Sequence, residues 1–336
     1  MKNSTPTTSP KKHSTSFTVV LSFAAIYLIW GSTYFAIRIG VETLPPFLLA
    51  GVRFCIAGFL LYAALRLTGT PRPEPVTWRS AALIGTLMMF GGNGLVTWAQ
   101  QEVPSGLAAL LVATVPIWMV ILDALIHRRG WPGTWLSLGL LMGSLGLIVL
   151  VGPGEGTVQP WGAAMILLAA LCWALGSVLH GSVRLPKSPW LAASMEMIAG
   201  GVLMVIIASA MGEWQALDPS TVSLASVLAL LYLVIFGSIV ALSAYVYLLR
   251  ESTPAAVSTY AFVNPVIALA LGWLTGEVVS SRTLAGATMV VGAVFLIHWA
   301  KHRAPTMAAE AAPKIDRVST APCPGLTARA STRIQT

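Results

Sequence analysis

The chain alternates between long apolar runs and short polar breaks. Each run approaches the length of about 20 residues that an α-helix needs to cross a bilayer. The pattern predicts ten transmembrane helices, over 17–39, 46–67, 81–100, 105–126, 134–152, 160–181, 189–211, 224–248, 254–276 and 283–300. The stretches from Arg129 to Glu155, Glu155 to Arg184 and Asp218 to Arg250 enclose no charge at all. Backbone polar groups in hydrocarbon must be satisfied within their own segment, so these runs are helices and not strands of an open sheet. The first run lacks a small-residue cleavage pattern and reads as a retained helix. The expected fold class is all-α, a polytopic membrane protein.

Composition agrees with the pattern. Hydrophobic residues make up 56% of the 336 positions and charged residues 10%, and mean hydropathy is +0.78. A soluble domain carries about 25% charged residues. The net charge of +8 does not point to nucleic acid, because the basic residues are scattered singly in loops and tails with no basic stripe. Their placement carries a different message. With the N-terminus in the cytoplasm, 17 of the 20 Lys and Arg fall on cytoplasmic segments, among them Arg72, Arg128, Lys187 and Arg250. The outer loops then hold Arg282 beside Glu42, Glu102, Glu155, Glu213, Asp218 and Glu277, while Arg38 and Arg53 lie within helices. This asymmetry predicts that both termini are cytoplasmic. Residues 1–16 and 301–336, rich in Ser, Thr, Pro and Ala, are expected to be disordered tails.

A repeat organises the runs. Trp30 and Trp173 lie 143 positions apart, as do Arg53 and Glu196, the lone charges of their runs. "RFCIAG" (53–58) answers "EMIAGG" (196–201), "FGG" (90–92) answers "FGS" (236–238), and Pro104 and Pro116 answer Pro254 and Pro265. Residues 17–152 and 160–300 therefore read as two five-helix repeats. Five is odd, so the second enters the membrane from the opposite side. Substrate sites of such inverted repeats lie near the midplane between them.

At these residues the chain resembles a known family. "IWGSTYFAIRIGVETLPPFLLAGVRF" (29–54) is similar to the opening signature of the drug/metabolite transporter superfamily, in its EamA-type branch. "GNGLVTWAQQEVPSGLAALLVATVPIW" (92–118), "WALGSV" (173–178) and "FGSIVALSAYVYLLRESTPAAVSTYAFVNPV" (236–266) resemble the YedA-like exporters within it. The likeness runs from about residue 20 to 300, and only the tails depart from it. It implies two EamA repeats, a bacterial inner-membrane location, and export of amino acids, amphipathic metabolites or drugs.

Three groups of residues are candidates for transport. Arg53 and Glu196 are charges inside apolar runs, and such residues usually face the bundle interior or water. Each can instead bind loop carbonyls and fix packing. Glu196 is the proton-coupling candidate of the two, since a carboxyl exchanges a proton whereas Arg stays charged. Pro116 and Pro265 remove a helical donor, leaving the carbonyls of Val112 and Ala261 free to line a cavity or simply kinking their helices. Asn264 adds a polar group beside Pro265. Trp30, Tyr34, Trp98, Trp118, Trp173, Tyr245 and Tyr260, with Asn93, are the residues of a cavity for amphipathic solutes. The rival role for Trp and Tyr is the interfacial belt, to which Trp131, Trp135, Trp161, Trp190, Trp214 and Trp299 are assigned by position at run ends.

No catalytic residue, cofactor or metal is expected. The five histidines are dispersed, Cys55, Cys172 and Cys323 have no clustered partners, and no H-E-x-x-H or G-x-S-x-G occurs. "GPGEG" (152–156) neither follows a strand nor opens a helix in a βαβ unit. The expected partners are a small-molecule substrate and the lipid bilayer, with a homodimer allowed and no nucleic acid. A secondary exporter is the first reading. An importer or facilitator of the same fold, for sugars or nucleotide conjugates, is the alternative, and an intramembrane enzyme is a distant third.

Overall fold

The computed structural model describes residues 17–126, 134–151, 159–251, 257, 260–277 and 279–311. Among these residues the regular elements are all helical. The long ones are α1 Phe17–Gly40, α2 Pro46–Leu67, α3 Pro75–Ala99, α4 Ser105–Ile126, α5 Thr134–Val151, α6 Pro160–His180, α7 Pro189–Ala210, α8 Leu224–Glu251, α9 Tyr260–Leu274 and α10 Ser281–Ala311, with one helical turn, Glu213–Ala216, between α7 and α8. Seven of the described helices (α1–α4 and α6–α8) are long and apolar enough to cross a membrane. The other three expected spans fall on α5, α9 and α10; the apolar stretches in the first two are shorter, Ser137–Gly146 and Val263–Leu274. The described residues divide into two units, one ending at residue 301 and the other beginning at residue 302. In the second, residues 302–311 are helical where the sequence predicts a disordered tail. Trp131, expected in the interfacial belt, lies outside the described residues.

Local chemistry explains where the helices begin. Pro46, Pro75, Pro160 and Pro189 each occupy a first turn, where a preset φ helps and the missing N–H costs nothing. Ser188 and Ser223 cap their helices, accepting from Leu191 N at 3.3 Å and Ser226 N at 3.1 Å. Two further caps come from far along the chain. The buried Glu213 carboxylate accepts from Phe47 N (3.3 Å) and Leu48 N (2.7 Å) at the start of α2. Glu277 accepts from Ser105 N (3.0 Å) and Gly106 N (3.3 Å) at the start of α4. A carboxylate at a helix N-terminus satisfies orphan donors and complements the helix dipole.

The helices are apolar on more than one face. Phe59, Ile206 and Phe295 are 54%, 59% and 61% exposed, which suits a lipid surround. Close packing between helices is set by small residues. A Cβ on Gly201 of α7 would stand 2.7 Å from Cys55 N, and one on Gly200 2.6 Å from the Gly85 carbonyl oxygen. Adjacent glycines thus let α2 and α3 approach α7 on two sides. The contacts of the outlying helices are reciprocal. α1 packs on α8 and α9, and α6 packs on α3 and α4.

Two helices carry a widened, π-type stretch, Thr86–Gly94 in α3 and Leu233–Val240 in α8. These coincide with "FGG" and "FGS". α4 is broken at Ala113–Thr114, and Pro116 sits in the first turn of its second piece, Val115–Ile126. α9 runs through Pro265 without interruption, so the expected helix break at that proline is absent.

Candidate functional site

Where α1, α3, α4, α6 and α9 converge they leave a cavity of about 60 Å³. A water needs about 10–15 Å³ of such space, so the cavity has room for a few waters or a small organic group. Trp30, Tyr34, Asn93, Trp173 and Tyr260, all expected at a substrate cavity, line it together with Thr33, Ile37, Gly92 and Val96.

Its floor is an aromatic cluster. The Trp30 and Trp173 rings meet edge to face, centroids 5.5 Å apart; Tyr245, also expected at the cavity, is 1% exposed and outside the lining, packed behind them at 5.0 Å from Trp30 and 5.6 Å from Trp173. Tyr260 packs edge-on against Trp30 at 5.5 Å. Such geometries favour aromatic pairs beyond simple burial. Each tryptophan also leans on a glycine in the widened stretch of a helix from the other half. A Cβ on Gly92 would lie 2.8 Å from Trp173 Cε3, which requires glycine there. Trp30 Nε1 donates to the Gly237 carbonyl at 3.3 Å. The widened turns therefore make seats for the two indoles.

The polar groups are few. Asn93 donates to the Met88 carbonyl at 3.3 Å from the cavity wall. Thr33 Oγ1 is spent on the Trp30 carbonyl, 2.7 Å away. The Tyr245 hydroxyl is 3.0 Å from Ser177 Oγ. An apolar, aromatic cavity with sparse polar anchors suits a small amphipathic solute.

Other expected residues lie elsewhere. Asn264 is 3% exposed and is absent from the cavity lining. With the amide turned so that its nitrogen faces the surrounding acceptors, it donates to the carbonyls of Tyr260 (3.3 Å) and Tyr27 (3.1 Å), an orientation that ties α9 to α1. Trp98 packs edge-on against Trp161 at 6.5 Å and lines two separate clefts with Gln101. Trp118 packs on Val115, Ala170 and Ala174. Of the residues assigned to the interfacial belt, Trp135, Trp161, Trp190 and Trp214 are 53%, 61%, 40% and 46% exposed.

The two buried charges do not pair with each other. Arg53, 2% exposed, donates from Nε to Ser238 Oγ at 2.8 Å and lies 4.5 Å over the Phe54 ring. It thereby holds the widened stretch of α8 beside the Trp30 seat. Glu196, with no exposure, faces His180 at 3.3 Å from Oε1 to Nε2. His180 was missed in the sequence, where the histidines look dispersed. The available signal was position: His180 closes one run and Glu196 lies early in the next, so an antiparallel turn brings both to the same end of the bundle. Arg250 at the end of α8 donates to the carbonyls of Pro186 and Lys187 and clamps the connection between α6 and α7. Arg38 also stays structural, donating to the carbonyls of Gln100 and Gln101 at 2.7 Å each.

Comparison with known proteins adds the family. Residues 17–152 and 160–299 each match the EamA-like transporter family. The inner membrane transporter YedA of Escherichia coli strain K12 is 44% identical over 283 residues, 84% of this chain and 90% of its own. A chloroplastic WAT1-related protein of Arabidopsis thaliana is 28% identical over 81% of this chain and 67% of its own. One protein of known crystal structure shares the fold with a TM-score of 0.59, at 21% identity, over 85% of this chain and 98% of that one.

Proposed function

This chain belongs to the EamA-like transporter family, and we propose that it is a secondary transporter exporting small metabolites, amino acids, amphipathic metabolites or drugs, by alternating access. It is a multi-pass protein of the inner membrane, as its similarity to YedA and its seven span-length apolar helices indicate. Family and relatives point to a transporter and not an enzyme.

The observation that carries the substrate class is the cavity lined by Trp30, Tyr34, Trp173 and Tyr260, with Tyr245 packed behind the two indoles. Rings packed edge-on and tilted, with few polar anchors, favour a solute that is apolar on one side and polar on another. Ten transmembrane helices in two inverted five-helix repeats, with both termini cytoplasmic, form our topology. The reciprocal packing of α1 and α6, the paired widened stretches and the matched indole seats support it. In this topology the aromatic cluster lies near the midplane, and the His180–Glu196 pair lies on its cytoplasmic side, with His180 at the end of α6. Glu196 is the residue we assign to proton coupling.

The test is an efflux screen. The protein is expressed in sensitive bacteria, challenged with amino-acid analogues and amphipathic drugs, and the compounds leaving the cell are measured. Protection with faster efflux of one class is the expected result. Increased accumulation of a compound inside the cell would instead favour an importer.

A further inference from the structure

We propose that His180 and Glu196 form one shared proton-binding site, with His180 as its second member. The inference deepens the coupling role given to Glu196 and rests on that reading for its place in transport.

The two groups stand 3.3 Å apart, with side chains 8% and 0% exposed. Beyond each other they have little. His180 Nε2 and both Glu196 carboxyl oxygens make no well-aligned hydrogen bond, to each other or to any other group, so their 3.3 Å approach is a charge contact that a shared proton would align. A carboxylate buried without donors is strongly disfavoured, so the imidazole is what makes this position tenable. With one proton between them the pair is neutral overall, whether drawn as imidazolium and carboxylate or as imidazole and carboxylic acid. When that proton leaves, a net negative charge remains in an apolar place. The proton therefore belongs to the pair and not to either residue, as in other coupled sites.

The surroundings contain few other charges. From α8, Tyr245 and Arg250 are near enough to feel the charge on Glu196. From α2, Cys55 meets α7 at Gly201, five residues further along. α3 presents the backbone of Gly85 and the side chain of Met89. Arg250 is held by loop carbonyls, and Tyr245 is bonded to Ser177. Ser177 lies three residues before His180 on α6, so the Tyr245–Ser177 bond stands about one helical turn from the proton site.

The experiment is a pH titration by NMR of histidine-labelled full-length protein in detergent micelles. The His180 resonance is identified by its loss in H180Q. The expected result is that E196Q moves the His180 titration by about one pH unit or more, the mark of two coupled groups. Identical ionisation of His180 in the wild type and in E196Q overturns the proposal. Should E196Q fail to accumulate, E196D, which retracts the carboxylate by one methylene, must shift the same titration. No substrate or gradient enters the measurement. A coupled titration accompanied by gradient-independent efflux would therefore remove the proton-driven part of the proposed function and leave the shared site standing.

Discussion

Gly200→Ala tests the packing that surrounds Glu196. The new Cβ would stand 2.6 Å from the Gly85 carbonyl oxygen and 2.4 Å from Met89 Cβ. Carbon–oxygen contacts settle at about 3.3–3.6 Å and carbon–carbon contacts at about 3.5–4.0 Å, so full relief would need roughly 0.7–1 Å at the oxygen and roughly 1.1–1.6 Å at the Met89 carbon. Two effects then compete. Alanine gains about 0.5–1 kcal/mol over glycine inside a helix. Overpacking costs about 1–3 kcal/mol, and a gap of about 0.5–1 Å forfeits a quarter to a half of the dispersion energy of each atom pair it opens. The overlapped atoms are a backbone oxygen and a Cβ, which have no rotamer to escape into, so the cost wins. The variant is expected to be about 1–2 kcal/mol less stable than the wild type. Unfolding of the purified protein in detergent, followed by tryptophan fluorescence, measures this. Gly181→Ala is the control: φ is already −73° and a Cβ there would meet nothing within 4 Å, so that substitution leaves stability unchanged or slightly raised. If Gly200→Ala matches Gly181→Ala, the close approach of α3 to α7 does not constrain the fold and the reasoning fails.

Trp173→Ala removes a wall of the cavity and the ring contacts to Trp30 and Tyr245; transport should change while membrane abundance holds, and a parallel loss of both would assign the ring to folding. Glu213→Ala strands the N–H groups of Phe47 and Leu48, so detergent unfolding should show a loss of about 1–3 kcal/mol, and no loss would mean that α2 needs no cap from the Glu213 loop. Periplasm-active reporters fused near Glu42, Glu102, Glu155, Asp218 and Val278 should be active, whereas activity from a fusion at Arg128 would break the ten-helix topology.

The apolar runs of the sequence located the helices, because the length and hydropathy of a membrane helix are local properties paid in the same solvent along its whole length. The prolines and serines at the helix starts are local for the same reason. The Trp30 and Trp173 pair was also legible, through a repeat that needs no coordinates. What faces what was not legible. A helix bordered by lipid on one side and by apolar neighbours on the other carries little amphipathic contrast, so its sequence does not mark its inner face. Tertiary packing therefore decided that Glu196 meets His180 and not Arg53. It also spent Asn264 on backbone carbonyls instead of the cavity and carried α9 through Pro265 as one helix. The carboxylates of Glu213 and Glu277 reach helix starts 165 and 172 positions away, at Leu48 and Ser105. Each of these depends on a polar group finding its partner where water is scarce, and the partner is chosen by proximity in three dimensions, which the order of residues along one helix does not encode.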